Sequence, residues 1–160
     1  MRVWRLSRRA FASSGDQAYS GEGASRRGAR WNSRFRMMAY ASESQALALL
    51  EYLVHIDLAL APKDLTFFSA DIPDGAIVDL DPLPSGWDAE PHGNASTDAG
   101  DAFLEAKAAL ALRVPSVILP AGRNVLINPL HVDFPTIMFG DPIDYVVDPR
   151  LRPTEGNVER

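Results

Sequence analysis

Prolines and glycines recur so closely through the second half of the chain that no apolar run there can grow into a long element. Pro62, Pro73-Asp74-Gly75, Pro82, Pro84, Gly86, Pro91 and Gly93 come first, then Pro115, Pro120, Gly122, Pro129 and Gly140-Asp141-Pro142. Proline removes an amide donor and fixes φ, while glycine admits turn conformations, so each cluster reads as a break. Between the breaks the short apolar runs predict strands at Leu65–Ile72, Ile77–Leu80, Val114–Pro120, Asn124–Ile127, Thr136–Phe139 and Ile143–Val147. Phe67 and Phe68 should lie on opposite faces of the first of these. Val3–Leu6 and Met38–Ala41 add two more strands, with a long polar, glycine-bearing loop from Ser7 to Gly28 between them.

Only two segments have helical spacing. One opens at Ser42, where Gln45 three residues on fits a capping box, and carries an apolar stripe of Ala46, Leu47, Leu50, Leu53 and Val54. Glu51 falls on the edge of that stripe, from which a carboxylate can look into a cleft. The other helix is expected from Ala99 to Leu112, after a surface loop over 81–98. Many short strands with two helices predict an α+β fold with mostly antiparallel pairing. At 160 residues the chain is one domain in size, read as residues 1–147 with a polar, fraying tail over 148–160.

Composition narrows the function classes. Without cysteine there is no disulfide, thiolate metal site or thiol nucleophile. Met1-Arg2-Val3-Trp4-Arg5-Leu6 has no apolar signal core behind its charges, and no run approaches eighteen apolar residues. A cytoplasmic location without membrane contact is the expectation. The net charge of −5 hides an asymmetry: residues 1–36 hold nine arginines and two acids, a balance of +7, against −12 for the rest. Arginine's planar fork suits bidentate phosphate binding. The segment therefore reads either as one localised anion site or as a basic, flexible arm.

The common motifs are absent: no Walker loop and no dinucleotide fingerprint opening a helix after a strand. His55, His92 and His131 lack metal-ligand spacing, and no metal is expected. Asp79 and Asp81 read as a pair flanking a turn. Arg30, Tyr40, Glu51 and Ser116 are the more interesting set, although type and spacing alone leave each with an ordinary structural role.

Five ordered blocks add to that reading: Gly28-Ala29-Arg30-Trp31-Asn32, Ala39–Glu43, Leu49–His55, Arg113–Pro120 and Asn124–His131. Together they resemble the RES-domain family, named for its Arg, Glu and Ser residues, which by position would be Arg30, Glu51 and Ser116. The resemblance runs from about residue 3 to 145. One departure stands out: members often carry glycine shortly after the Arg-Trp-Asn block, where this chain reads Ser33-Arg34-Phe35-Arg36. The turn is expected to differ there, with Arg34 and Arg36 either adding charge near the site or meeting a partner.

The resemblance implies an ADP-ribosyltransferase-like split antiparallel β-core that grips NAD+ as substrate. It implies the toxin of a bacterial type II toxin–antitoxin system, neutralised by an Xre-type helix-turn-helix antitoxin, with a homodimer within the toxin–antitoxin assembly as a further expectation. ADP-ribose would pass to a protein, as in a mono-ADP-ribosyltransferase, or to water or phosphate. Cleaving the nicotinamide–ribose bond expels a neutral leaving group and spreads positive charge over the ribose, so one carboxylate suffices, and Glu51 is the candidate. Arg30 would grip the pyrophosphate, with Arg5 as a second contact. Tyr40 would stack on nicotinamide or bond the ribose, Trp31 would line the cofactor site, and Ser116 would offer a hydroxyl from a strand. Asn124, Asn128 and His131 either line the site or shape the turn after it. The competing readings are a non-catalytic partner-binding subunit and a nucleic-acid-binding module built on the arginine-rich segment, although the −12 remainder would repel a long polyanion.

Overall fold

The computed structural model describes residues 1–151, and in it the expected α+β class is the one observed. Strands β1 (Arg2–Arg8), β2 (Ala39–Ser42), β3 (Leu65–Asp71), β4 (Ile77–Asp79), β5 (Ala111–Pro115), β6 (Arg123–Ile127), β7 (Met138–Phe139) and β8 (Ile143–Tyr145) form one sheet. Its order is β4-β5-β6-β2-β1-β3-β7, and β8 joins β3 beside β7. Only β4 and β5 run parallel; every other pair is antiparallel.

The sheet is continuous everywhere except between β1 and β2. β1 pairs with β3 along its whole length, and β2 pairs with β6 along its whole length. β1 and β2 meet only at Trp4 and Ser42, then part. Arg5 bridges the opening, its Nη1 donating to the Tyr40 carbonyl at 2.7 Å. That split is where the cleft described below opens.

Both faces of the sheet are covered. Phe68, Val3, Ala70, Val125 and Ile127 pack with Tyr19 of the short helix α1 (Gly15–Ala18) and its C-cap. Phe67, on the opposite face as expected, packs with Leu6, Leu65, Val147 and Ala48 of helix α3 (Gln45–Leu53). A third cluster joins Trp31, Met38, Leu112, Val114 and Leu126 to Leu104 of helix α4 (Asn94–Ala106).

Several expectations need correction. The stretch from Ser7 to Gly28 is not all loop, since it folds α1 and a second short helix, α2 (Glu22–Arg27). The cap of α3 is Ser44, whose hydroxyl accepts from the Leu47 amide at 3.1 Å; Ser42 ends β2 instead. Helix α4 starts earlier and stops earlier than expected, at Lys107, which takes φ +48°. The apolar residues after it belong to β5, where pairing with β6 overrides their helical propensity. The strand expected over Val114–Pro120 ends at Pro115: the Ser116 hydroxyl accepts from the Leu119 amide at 3.1 Å, turning the chain back to β6. Thr136 belongs to a 3₁₀ turn before β7, and β8 stops at Tyr145. Within the expected tail, Pro149–Leu151 forms one 3₁₀ turn with Arg150 paired to Asp148 at 2.6 Å. The rest of that tail, residues 152–160, lies outside the described residues.

The charge asymmetry resolves on folding. Arg2 pairs with Asp71, Arg8 with Asp64, Arg9 with Asp144, Arg30 with Glu90 and Arg36 with Glu105, all acids from the later, negative part of the chain. The basic segment is neither a flexible arm nor a free cationic face. Among the described residues, Arg5, Arg27 and Arg34 have no carboxylate partner. Arg5 and Arg27 line the cleft.

Candidate active site

The cleft consists of two recesses of about 340 and 720 Å³ that share Tyr40, Glu51, His55 and Asn124. Both fall in the size range of small-molecule sites. The smaller lies over the parting of β1 and β2, with Arg5 and Tyr52 in its wall. The larger lies under the loops that carry Arg30 and Glu90. They meet at Glu51.

Glu51 is turned further inward than its apolar neighbours predict. Leu47, Ala48, Glu51 and Tyr52 make the inner face of α3, while Leu50 is 37% exposed and Val54 53%. Of the expected stripe, Ala46, Leu50 and Val54 are thus exposed, whereas Leu47 and Leu53 hold their places. Apolar packing of Ala48, Leu49, Tyr52 and Leu53 against Leu6, Leu65 and Phe67 sets the helix phase, and hydrogen bonds hold the carboxylate that this phase turns inward. Glu51 Oε1 accepts from Ser116 Oγ at 2.7 Å and from Asn124 Nδ2 at 2.5 Å. Ser42 Oγ donates to Asn124 Oδ1 at 2.7 Å, which turns the amide so that its NH₂ faces Glu51. Both bonds fall on Oε1, leaving Oε2 as the carboxylate oxygen for a ligand.

Ser116 is fully buried one residue past β5 and does not line the cleft. Its hydroxyl is committed to Glu51 and to the Leu119 amide. The expected ligand contact from a strand is therefore a positioning contact from a turn. Asn124 lines both recesses.

Arg30 is placed by its backbone first. Its carbonyl accepts from Thr97 Oγ1 of α4 at 3.1 Å. The next carbonyl, of Trp31, lies so close to Gly100 that a Cβ there would come within 1.7 Å of it. Asn32 Nδ2 reaches the carbonyls of Ser33 and Arg36, at 3.0 and 3.1 Å. The Tyr40 hydroxyl completes the clamp, donating to Asn32 Oδ1 at 2.7 Å and accepting from the Trp31 amide at 3.0 Å. Burial pushes the Tyr40 phenol far above its usual range, so it stays neutral. Tyr40 thus spends its hydroxyl on the Arg30 loop and presents its ring to the cleft.

The guanidinium is also engaged. Arg30 Nη1 donates to the carbonyls of Trp87 and Ala89 at 3.0 and 2.9 Å, and Nη2 to Glu90 Oε2 at 2.9 Å. Trp31 anchors this loop, its buried ring stacked on Trp87 at 6.0 Å. Arg5 faces the other recess with only the Tyr40 carbonyl as partner, and its buried Nε has none among the described residues. Burial pushes its pKa down from the usual range, yet arginine keeps its charge at neutral pH.

Two expected site residues are not brought to the cleft. Asn128 is buried beyond β6, where Nδ2 donates to the Leu104 carbonyl at 3.4 Å and Oδ1 accepts from the Leu130 amide at 3.0 Å. His131 contacts the Lys107 carbonyl at 3.1 Å. Both shape the turn. Asp79 binds Arg113 through both oxygens, which holds its carboxyl below the usual range, and takes no part in the cleft. Among the described residues no cluster of three metal-ligating groups occurs, and no helix is long and apolar enough to cross a membrane.

Some cleft residues escaped the sequence reading. His55 follows Glu51 by one helical turn, a readable signal. Glu90 and His92 come from a proline-rich loop that shows no periodicity at all. At the departure from the family pattern, Phe35 takes φ +69°, a conformation glycine favours. Its ring is 80% exposed under the Arg34 guanidinium, while Arg36 pairs with Glu105.

A split, mostly antiparallel sheet with a hydrogen-bonded carboxylate, Glu51, and a clamped arginine, Arg30, lining one cleft defines a class of small α+β protein. The particular family follows from comparison: residues 2–148 match the RES domain, and the chain belongs to that family. It is 34% identical over 155 residues to "Toxin Res" of Yersinia enterocolitica, covering 95% of this chain and 100% of that one. It is 35% identical over 153 residues to the "Prs ADP-ribosylating toxin" of a Sphingobium species, covering 92% and 94%. The fold resembles a chain in the crystal structure of the M. tuberculosis MbcT–MbcA toxin–antitoxin complex, with a TM-score of 0.71 at 17% identity, covering 90% of this chain and 83% of that one.

Proposed function

We propose that this protein is the toxin of a toxin–antitoxin pair and that it cleaves the nicotinamide–ribose bond of NAD+ in the cleft around Glu51. The observation that carries the reading is the pairing of Glu51, held by Ser116 and Asn124, with Arg30 in one continuous cleft. The names of the relatives from Yersinia and Sphingobium support the toxin role, and the second supports NAD+ as the substrate. The toxin–antitoxin complex among the structural neighbours supports an antitoxin partner.

In this reading Arg30 holds the pyrophosphate, with Arg5 as a second contact from the smaller recess. The C–N bond breaks with its electron pair leaving on nicotinamide, which departs neutral. Positive charge develops on C1′ and the ring oxygen, next to the Oε2 side of Glu51. An acceptor then forms the new bond to C1′ and loses its proton. The Tyr40 ring supplies a flat apolar surface for an aromatic group. Transfer of ADP-ribose to a protein is the acceptor reading that the Sphingobium relative's name favours.

The test is incubation with labelled NAD+ in cell lysate, followed by mass spectrometry. A labelled protein is the expected product, and free ADP-ribose or its phosphate ester alone would replace transfer with hydrolysis or phosphorolysis. Intact NAD+ with and without lysate would overturn the enzymatic reading.

A further inference from the structure

Glu90 occupies the place an anionic ligand needs. Arg30 is only 17% exposed, and the two Nη1 contacts with the Trp87 and Ala89 carbonyls fix the inner edge of its guanidinium. Nη2 is left as a ligand-facing edge, and there it meets Glu90 Oε2 at 2.9 Å. Glu90 itself is 78% exposed and makes this single side-chain contact, so it can swing into solvent without disturbing the core. Arg27 and His92 line the same recess, and Glu90 is the acid on its loop side.

We propose that Glu90 is a built-in competitor for the anion site of Arg30, displaced when a ligand phosphate binds. The proposal rests on the NAD+ reading for its natural ligand, but its chemistry asks only for a phosphate-bearing anion. A largely shielded guanidinium left without a counter-charge is costly, so the carboxylate keeps Arg30 oriented while the cleft is empty. An exposed carboxylate holds such a partner weakly. Pyrophosphate brings more charge and a second oxygen for the fork, and so displaces it. Affinity for the ligand is thereby lowered by a fixed factor, the strength of the internal pair.

Calorimetric titration of wild type, Glu90→Gln and Arg30→Ala with NAD+ and with inorganic pyrophosphate tests this. Glu90→Gln should bind both ligands about three- to fivefold more tightly than wild type, the strength of an exposed ion pair. Its affinity should also fall more steeply with added salt, because wild type loses its internal competitor as salt rises. Arg30→Ala should bind neither. Tighter pyrophosphate binding without any NAD+ binding would keep the competitor and discard NAD+ as ligand. Unchanged or weaker binding in Glu90→Gln overturns the proposal, as does a wild type that binds neither ligand.

Discussion

The two walls of the cleft hold their charges by opposite means. Glu51 stands on a helix backed by strands, and its partners Ser116 and Asn124 are neutral side chains, with Ser42 behind them. Arg30 stands on a loop, and its guanidinium is held by two carbonyls of another loop and one exposed acid. Neutral donors orient a carboxylate without cancelling its charge, whereas Glu90 cancels that of Arg30. The first wall keeps its charge available to a developing cation. The second stores its charge until an anion replaces Glu90. Chemistry should therefore be lost on the Glu51 side and binding on the Arg30 side.

The largest expected effect comes from the carboxylate. Glu51→Gln keeps its shape and should lower nicotinamide release by about a hundred- to a thousandfold, as for the loss of one charge-stabilising group at a reacting centre. A comparable loss of NAD+ affinity in that variant would erase the division between the walls. Next comes Gly100→Ala, because its Cβ would sit 1.7 Å from the Trp31 carbonyl. It should destabilise the fold by about 3 kcal/mol in denaturant unfolding and weaken NAD+ binding through the displaced Arg30 loop. Tyr40→Phe leaves Asn32 Oδ1 and the Trp31 amide short of a partner, for about 2 kcal/mol of lost stability. Its binding defect should exceed any defect in the rate of bound substrate, and the reverse would move Tyr40 to the chemical wall.

Ser116→Ala and Asn124→Ala each remove one of the two donors to Glu51 Oε1. Each should lower the maximal rate about tenfold, with less than additive loss in the double variant because both act through one carboxylate.

The smallest effect concerns the exposed ion pairs of Arg2 and Arg8 on β1. Their partners Asp71 and Asp64 have carboxyls held below the usual range, first by hydrogen bonds from Arg2 and Arg8. A depressed folded-state pKa gives stability that is present above the unfolded value and lost as pH falls through the folded one. Melting temperature should therefore decline below about pH 4, and Asp64→Asn should flatten that decline slightly.

What the sequence made legible follows the same division. Short apolar runs mark every strand except β5, because alternation and breakers are local signals, and most of β5 reads as the end of a helix instead. The C-terminal end of α4 is misread since Ala111 and Leu112 suit helix or strand equally, and only pairing with β6 decides. The inner face of α3 is misread in part since Ala48, Leu49 and Tyr52 pack on β1 and β3, and the partners of Glu51, Ser116 and Asn124, lie sixty-five and seventy-three residues away. Arg30, Tyr40, Glu51 and Asn124 do gather at one cleft, and the resemblance, not their spacing, singled them out. Glu90 was invisible because a proline-rich loop reveals no partner until folded. The +7 segment misled for the same reason: the acids that neutralise it lie fifty-six or more residues away in the chain.

The most direct test of the division is NAD+ affinity and nicotinamide release measured together on wild type, Glu51→Gln and Arg30→Ala. Glu51→Gln should bind NAD+ within about threefold of wild type yet release almost no nicotinamide, and Arg30→Ala should fail at binding. Nicotinamide released by Glu51→Gln at the wild-type rate, or NAD+ bound by Arg30→Ala as tightly as by wild type, would contradict it.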